Sequence, residues 1–518
     1  MLNRRVFTLS GLASLIGLRV GVSPLHVLAQ SVPVSTGRGG VSGATDNSTA
    51  AASRRKNPLP PEGGPGTPKQ RVIVLTDIGA DPDDTESTCR LLLYSNVIEI
   101  EGIIAVTSIW RPNPEPGLVR HVVNAYGQVH ANLLKHEHGF PRAEAILARV
   151  KQGIAEYGMK GVGPGKDSEG SDWIIQTLEK RDDRPVWISV WGGTNTLAQA
   201  LYRLRASKSA VELNRLVAKL RVYAISDQDD SGPWIRKNFP KVFYIVSPGG
   251  NYLTATWEGI NTVVPGIDNS TISNPWLARH IQQGHGPLGA AYPDVAYGME
   301  GDTPSWLGLI PNGLSNMEHP DWGGWGGRYK LYKPDVPVTD PKTFIGGVPI
   351  PQETRPIWTN ANDTYTPPVH PEYGRAIEPG EKSFTGNKVT VWRWRDDFQN
   401  DFAARMDWAT KSYEEANHPP VVVLDHPSEI TVASGSNFGL SAHATDPDGD
   451  SLTYYWFVYP EAGSYRGQID IGAPDTPGVW LAAPKVLKAE TIHFILRVTD
   501  KGTPPLSRYR RVIVTVTP

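Results

Sequence analysis

The stretch RVIVL (71–75) runs straight into TDIGADPDDTES (76–87), and this junction decides the fold. Five of those twelve residues are acidic: Asp77, Asp81, Asp83, Asp84 and Glu86. The apolar, β-branched run predicts a buried strand, so the carboxylates gather at its carboxyl end. Uncompensated carboxylates repel and are costly to desolvate, so something cationic belongs beside them. Capping of the following helix by Asp83 or Asp84 accounts for one of them. It leaves Asp77 and Asp81 unexplained. A hard divalent cation, which takes six to eight oxygen ligands, accounts for all.

Outward from this point, apolar runs alternate with amphipathic stretches. Strands are expected at Val72–Leu75, Ile98–Val106, Val186–Val190, Leu220–Ile225 and Val242–Val246. Helices are expected near 84–95, 116–135, 143–156, 171–180, 194–206 and 209–217, with a closing helix near 395–415. This alternation predicts an α/β fold with a mostly parallel sheet and flanking helices. In such sheets the ligand crevice lies beyond the carboxyl ends of the strands, where the acidic stretch sits. Residues 250–380, rich in Gly, Pro and aromatics, read as loops that build a site. From about 418, alternating strands separated by turns predict an Ig-like or cadherin-like β-sandwich through 518. Its DPDGD turn (446–450) reads as an Asp/Gly turn, with calcium binding the competing reading.

The chain has 518 residues, a formal net charge of −2, 52 Gly, 45 Pro and 16 Trp. No global field recruits nucleic acid or an anionic membrane. Residues 1–30 carry Arg4-Arg5, an apolar stretch and small residues near Ala29, the pattern of a twin-arginine export signal. The protein is therefore expected to be periplasmic or secreted, free of the membrane once the signal is removed. Residues 31–70, rich in Ser, Gly, Pro and Ala, read as a flexible linker. The one cysteine, Cys89, lies on an apolar helix face and reads as a core residue. A phosphotransferase reading is weak, because no phosphate loop follows the first strand.

The strings LTDIGADPDD, VWGGTNTLAQAL, ISDQDDSGPWIRKNFP, GDTPSW and WGGWGGRY together resemble the nucleoside hydrolase superfamily. They are most similar to its DUF1593 branch, often labelled cellulose-binding, which joins a nucleoside-hydrolase-like domain to a C-terminal sandwich. The resemblance spans about 70–518 and implies a nucleoside-hydrolase-like (Rossmann-like) domain over 71–417. It implies Ca²⁺ held by Asp77, Asp84, Asp302 and the carbonyl of Thr194, with Asp83 activating water. Asn195 and the loop acids Asp227, Asp229 and Asp230 are the implied sugar-binding residues. Two departures stand out: the acidic loop is two residues longer than usual, so Asp81 can share or displace a ligand. Gly301 replaces the histidine that acts as leaving-group acid. Glu300, His280, His285 and Glu318 are candidates to replace it, with Glu300 preferred.

Beside the resemblance stands a chemical reading. A cation lowers the pKa of water and holds sugar hydroxyls, and Asp83 takes the proton as attack at the anomeric carbon passes through an oxocarbenium-like state. Trp234, Trp276, Trp322 and Trp325 are candidates to stack on sugar faces, with core packing expected for about half of them. The glycines around Trp325 argue for exposure there. The expected function is an exported Ca²⁺-dependent glycosidase acting on a carbohydrate or glycoside. The alternative is a carbohydrate-binding protein that retains the fold without catalysis. The sequence leaves oligomeric state open, a homodimer included.

Overall fold

The computed structural model describes residues 68–249, 252–335, 348–367 and 382–518. The export signal over 1–30 and nearly all of the linker over 31–70 lie outside the described residues. The central sheet is built from β1 (Gln70–Thr76), β2 (Ile98–Ala105), β3 (Val150–Gln152), β4 (Val186–Val190), β5 (Leu220–Ala224), β6 (Phe243–Val246), β7 (Tyr329–Tyr332) and β8 (Ile357–Asn360). Its order is β3-β2-β1-β4-β5-β6-β8-β7. Every neighbouring pair is parallel except β7 with β8.

Helices α1 (Asp83–Leu93), α2 (Pro116–His136), α3 (Ala143–Leu147), α4 (Glu169–Glu179), α5 (Asn195–Ser207), α6 (Ala210–Ala218) and α7 (Ser231–Asn238) connect the strands. The strand order reverses between β1 and β4, so the loops after these two strands diverge and leave a crevice. The acidic loop and the WGGTN segment (191–195) occupy those two loops. One core, with Val72, Val74, Leu91 and Trp306, fills one face of the sheet; another, with Ile73, Leu75, Leu197 and Leu201, fills the other. Alternate β1 side chains thus enter different cores, and a strand buried on both faces reads as a continuous apolar run.

Two expectations need correction. The helix expected over 143–156 stops at Leu147, and Val150–Gln152 instead adds β3 to the sheet edge, pairing with Ile103–Ala105. Helix α7 was not expected; its segment, SGPWIRKN, looks like loop because Gly232 and Pro233 fall in its first turn, where proline is tolerated.

The C-terminal strands are β11 (Val421–Leu424), β12 (Glu429–Ala433), β13 (Asn437–Thr445), β14 (Leu452–Val458), β15 (Gly478–Ala482), β16 (Glu490–Asp500) and β17 (Ser507–Thr517), after the short pair β9 (Asp363–Tyr365) and β10 (Phe384–Gly386). They form sheets β11-β13-β15 and β12-β17-β16-β14 around a core of Trp456, Phe494, Val512 and Val514. The sandwich is bonded to the α/β layers. The Arg511 guanidinium donates to the carbonyls of Leu314 and Gly323 (3.0 and 2.9 Å), and Arg508 pairs with Asp401 at 2.7 Å. Among the described residues no helix is long and apolar enough to cross a membrane.

Candidate metal centre and active site

The end of β1 and the start of α1 hold the acidic loop in place through short local bonds. Thr76 Oγ1 accepts from the Ile78 amide (3.1 Å) and donates to Asp84 Oδ1. Ser108, beyond β2, donates to Asp77 Oδ2, and the Asp84 amide donates to Asp83 Oδ1 at 3.1 Å. Asp302 arrives from more than two hundred residues away, and its segment is tied to α1. The Glu300 amide donates to Glu86 Oε2 (2.8 Å), and Thr303 Oγ1 meets Ser87 Oγ at 2.9 Å.

These ties bring carboxylate oxygens of Asp83, Asp84 and Asp302 within 4.8 Å of one another. Opposite ligands of a calcium ion lie about 4.6–5.2 Å apart, so the spacing suits one hard cation. Asp302 is 2 % exposed, and its Oδ2 has no hydrogen-bond partner. Burial, then the charges of neighbouring carboxylates, pushes Asp84 and Asp302 well above the carboxylate range. Burial is also the main cause raising Asp77 and Asp83 to about 7; Asp81 adds to both shifts, and Arg111 offsets part of that at Asp77. Oxygen-only donors, spacing and an orphaned buried oxygen fit a Ca²⁺-class ion.

The cluster forms the floor of a cleft enclosing about 140 Å³. Asp77, Asp81, Asp83, Asp84 and Asp302 line it together with Trp191 and Gln228. Trp110, Tyr252, Trp257, Glu258, Asn261 and Tyr297 supply further lining. Tyr252 and Trp257 meet edge to face at 5.4 Å, Trp257 Nε1 donates to Ser226 Oγ (3.1 Å), and Tyr297 is 82 % exposed. An acidic floor beneath aromatic walls suits a ligand with hydroxyl edges and apolar faces. The sequence reading missed this wall.

Several expected site residues are employed elsewhere. Thr194 does not line the cleft: its carbonyl accepts from the Ala198 amide (2.9 Å) as the first turn of α5, and Trp191 of the same segment faces the cleft instead. Asn195 donates from Nδ2 to Thr107 Oγ1 and the Glu156 carbonyl (3.1 and 2.7 Å). Asp227 forms a buried pair with Arg236 at 2.8 Å. Asp229 accepts from the Asn195 and Ser231 amides (3.2 and 2.9 Å), at the N-termini of α5 and α7. Asp230 accepts from the Met159 amide at 2.7 Å. From this loop only Gln228 reaches the cleft, and its Oε1 is buried without a partner.

Glu300 is fully buried, pairs with Arg90 at 2.6 Å and accepts from Tyr292 OH at 2.8 Å, so its carboxylate faces the core rather than the cleft. His285 is bonded to Asp407 (3.0 Å), Glu318 to Arg221 (2.9 Å), and His280 lies against Trp276 with ring centres 4.8 Å apart; none lines the cleft. Gly301 cannot carry the missing histidine without rearrangement, because a Cβ there would lie 2.8 Å from the Trp257 ring and 3.0 Å from Asp83 Oδ2. Among the described lining residues no histidine appears, and Glu258, paired with Lys388 at 3.3 Å, is a carboxyl outside the acidic cluster.

The tryptophans also move. Trp325 is 0 % exposed and packs edge-on against Phe398 and Tyr509, at the junction with the sandwich. Trp322 stacks on His319 at 4.1 Å and meets His493 of the sandwich. Trp234 packs against Phe239, and Arg205 lies over both rings. None of the three lines the cleft. Cys89 is buried in the core as expected, and burial pushes its thiol far above the usual range.

A Rossmann-like sheet with an acidic cleft at its switch point is the architecture of a nucleoside-hydrolase-like protein. Residues 71–329 match the family model described as cellulose-binding Sde182, nucleoside hydrolase-like domain, and residues 437–516 match cellulose-binding protein Sde0182, C-terminal domain. The chain belongs to this family. A solved structure of a nucleoside hydrolase-related hypothetical protein from Saccharophagus degradans, described as associated with carbohydrate metabolism, is 36 % identical. The alignment covers 87 % of this chain and all of that one, with a TM-score of 0.72. Chitinase A of Pseudoalteromonas piscicida is 26 % identical over 166 residues, which are 31 % of this chain and only 18 % of the chitinase.

Proposed function

We propose that the protein is an exported, Ca²⁺-dependent glycoside hydrolase acting on a carbohydrate. The observation that carries this is the Asp83, Asp84 and Asp302 cluster, with the orphaned Asp302 Oδ2, at the floor of an aromatic-walled cleft. Asp84, Asp302 and Asp77 or Asp81 are the residues to hold the ion. A divalent cation there supplies the positive charge that these carboxylates lack and lowers the pKa of nearby water.

The chain's own groups do the rest. Asp83 has one oxygen anchored by the Asp84 amide, which orients its carboxylate. In the metal-free chain burial raises this carboxyl to about 7, and a bound cation would favour the ionised form that takes a proton from water. Trp110, Tyr252, Trp257 and Tyr297 offer rings to the apolar faces of a sugar, and Gln228 and Asn261 offer amides to its hydroxyls. The close approach of Gly301 to Trp257 and Asp83 keeps that wall tight and excludes a bulkier acid. Glu258, a lining carboxyl outside the cluster, is then the candidate to protonate a leaving group once its pairing with Lys388 is released.

A second reading, a glycan-binding protein without turnover, is favoured by the absence of a histidine from the described cleft and by the family's cellulose-binding description. One experiment separates them. Cello-oligosaccharides, chromogenic glycosides and nucleosides are incubated with Ca²⁺ and wild type or Asp83→Asn, and both hydrolysis and binding are measured. The hydrolase reading expects turnover in wild type, abolished in Asp83→Asn with binding retained. Binding of glycan without turnover in wild type selects the second reading.

A further inference from the structure

A second group of acids lies far along the chain, in the turn between β13 and β14. The DPDGD segment does form a tight turn: Asp446 Oδ1 accepts from the amides of Asp448 (2.9 Å) and Asp450 (3.0 Å). That explains one carboxylate oxygen. Yet oxygens of Asp446, Asp448 and Asp450 lie within 4.8 Å of one another, and Asp446 Oδ2 is sealed from solvent without a hydrogen-bond partner.

An independent observation comes from the other side. Asp500, at the end of β16, is 0 % exposed. Its Oδ1 is saturated by Asn417 Nδ2 and the amides of Gly502 and Leu506, each at 3.0 Å. Its Oδ2, enclosed by protein, has no partner. Leu452, two residues after Asp450, pairs with Asp500 across β14 and β16, and the adjacent residues Asn417 and His418 bond Asp500 and Asp448 respectively, so Asp500 lies beside the turn. Two buried oxygens from two loops are thus left without donors, which is costly unless a positive charge joins them.

His418 does not supply that charge to all of them. Its amide (2.6 Å) and Nδ1 (2.9 Å) engage Asp448, and its Nε2 is taken by His136 Nδ1 at 3.0 Å. This pairing serves Asp448 alone. With both ring nitrogens of His418 committed, the donors left are oxygens, which selects a hard cation over zinc.

We propose that Asp446, Asp448, Asp450 and Asp500 form a second divalent-cation site, of calcium type, where the segment Asn417–His418 meets the sandwich. The ion joins the turn before β14 to the end of β16. Asn417 is bonded to Asp500, and His418 lies stacked on Tyr413 and Trp408 (3.9 and 5.1 Å). Occupancy therefore fixes the sandwich end of the link between the two parts of the molecule.

The test titrates metal-stripped full-length protein with Ca²⁺ alone, by calorimetry. In an Asp302→Asn background, which disables the cleft, one equivalent should still bind, and adding Asp446→Asn should weaken it about tenfold or more. Asn keeps the Oδ1 acceptor for the two turn amides. Should circular dichroism show Asp446→Asn misfolded, Asp450→Asn, at the half-buried rim of the turn, decides instead. Binding lost with Asp302→Asn alone and indifferent to Asp446 and Asp450 overturns this site and leaves the cleft. Binding lost with Asp446→Asn but not with Asp302→Asn keeps this site and overturns the cleft. No binding in wild type overturns both.

Discussion

Two loops of the same sheet carry a dense set of acids, and they have opposite fates. After β5, the SDQDD loop (226–230) satisfies every carboxylate from within. Asp227 takes the Arg236 guanidinium, Asp229 two helix-terminal amides, and Asp230 the Met159 amide. After β1, the acidic loop meets Asp302 and gathers no comparable set of donors, so burial and mutual repulsion drive its carboxyls upward. Burial raises Asp229 as well, but there the Ser231 hydroxyl and neighbouring amides offset part of the shift. Acid density after a strand therefore marks a place where charge is concentrated. What distinguishes structure from ligand binding is whether the fold brings a donor to each oxygen, and that donor can come from anywhere in the chain.

This contrast can be broken by mutation. The largest expected effect is in the satisfied loop. Asp227→Ala leaves Arg236 buried without this partner and should cost about 3–5 kcal/mol in chemical denaturation. Cation affinity, measured where the variant remains folded, should be unchanged. The β1 loop should behave in the reverse way. Asp84→Asn should lower Ca²⁺ affinity about 100-fold or more in a calorimetric titration. Its metal-free stability should be unchanged or higher, because a repelling charge is removed.

The pH dependence sharpens the same point. Asp77 and Asp83 are raised from 3.8 to about 7 in the folded, metal-free chain. Between those values the folded state holds protons that the unfolded state has released, so these groups lower stability as pH rises through that window. Ca²⁺ favours the charged forms and must displace the protons. The rise in melting temperature on adding saturating Ca²⁺ should thus be larger at pH 7.5 than at pH 5, and smaller in Asp83→Asn at both. A pH-independent rise would contradict the assignment.

Smaller effects separate the two sets of tryptophans. Trp257→Ala, in the cleft wall, should weaken binding of a glycan ligand by about tenfold, on the scale of one aromatic stacking contact. Trp234→Ala, on α7 against Phe239 and Arg205, should leave glycan binding within error and lower only stability.

The parts legible in the sequence follow the same logic. β1, β2, β4, β5 and β6 were visible because a strand covered on both faces is a short run of apolar residues with no polar alternation. β3 and α7 were not, because their local signals are three residues long or interrupted by Gly and Pro. Asp77, Asp83, Asp84 and Asp302 were singled out, and the fold draws all four to one cleft. The aromatic wall was hidden: Trp110, the Tyr252–Trp257 segment and Tyr297 come from three stretches far apart in the chain, and their convergence is a tertiary fact. Trp325 misled for a physical reason. The glycines beside it make room for protein, not ligand, since a Cβ at Gly324 would strike Ser315 and one at Gly326 would lie 2.9 Å from the Pro304 carbonyl. Glu300 misled because adjacency to Asp302 in sequence says nothing of direction; its backbone is left-handed (φ 48°) and its carboxylate turns to Arg90.

The most direct measurement is a Ca²⁺ titration of metal-stripped protein at pH 7 in the Asp446→Asn background, with and without Asp302→Asn, following heat and released protons. The account predicts one equivalent bound with net proton release, lost when Asp302 is replaced. The same isotherm in both proteins, or no binding in either, would mean that the cleft acids hold no cation, and the cation-dependent hydrolase would fall with them.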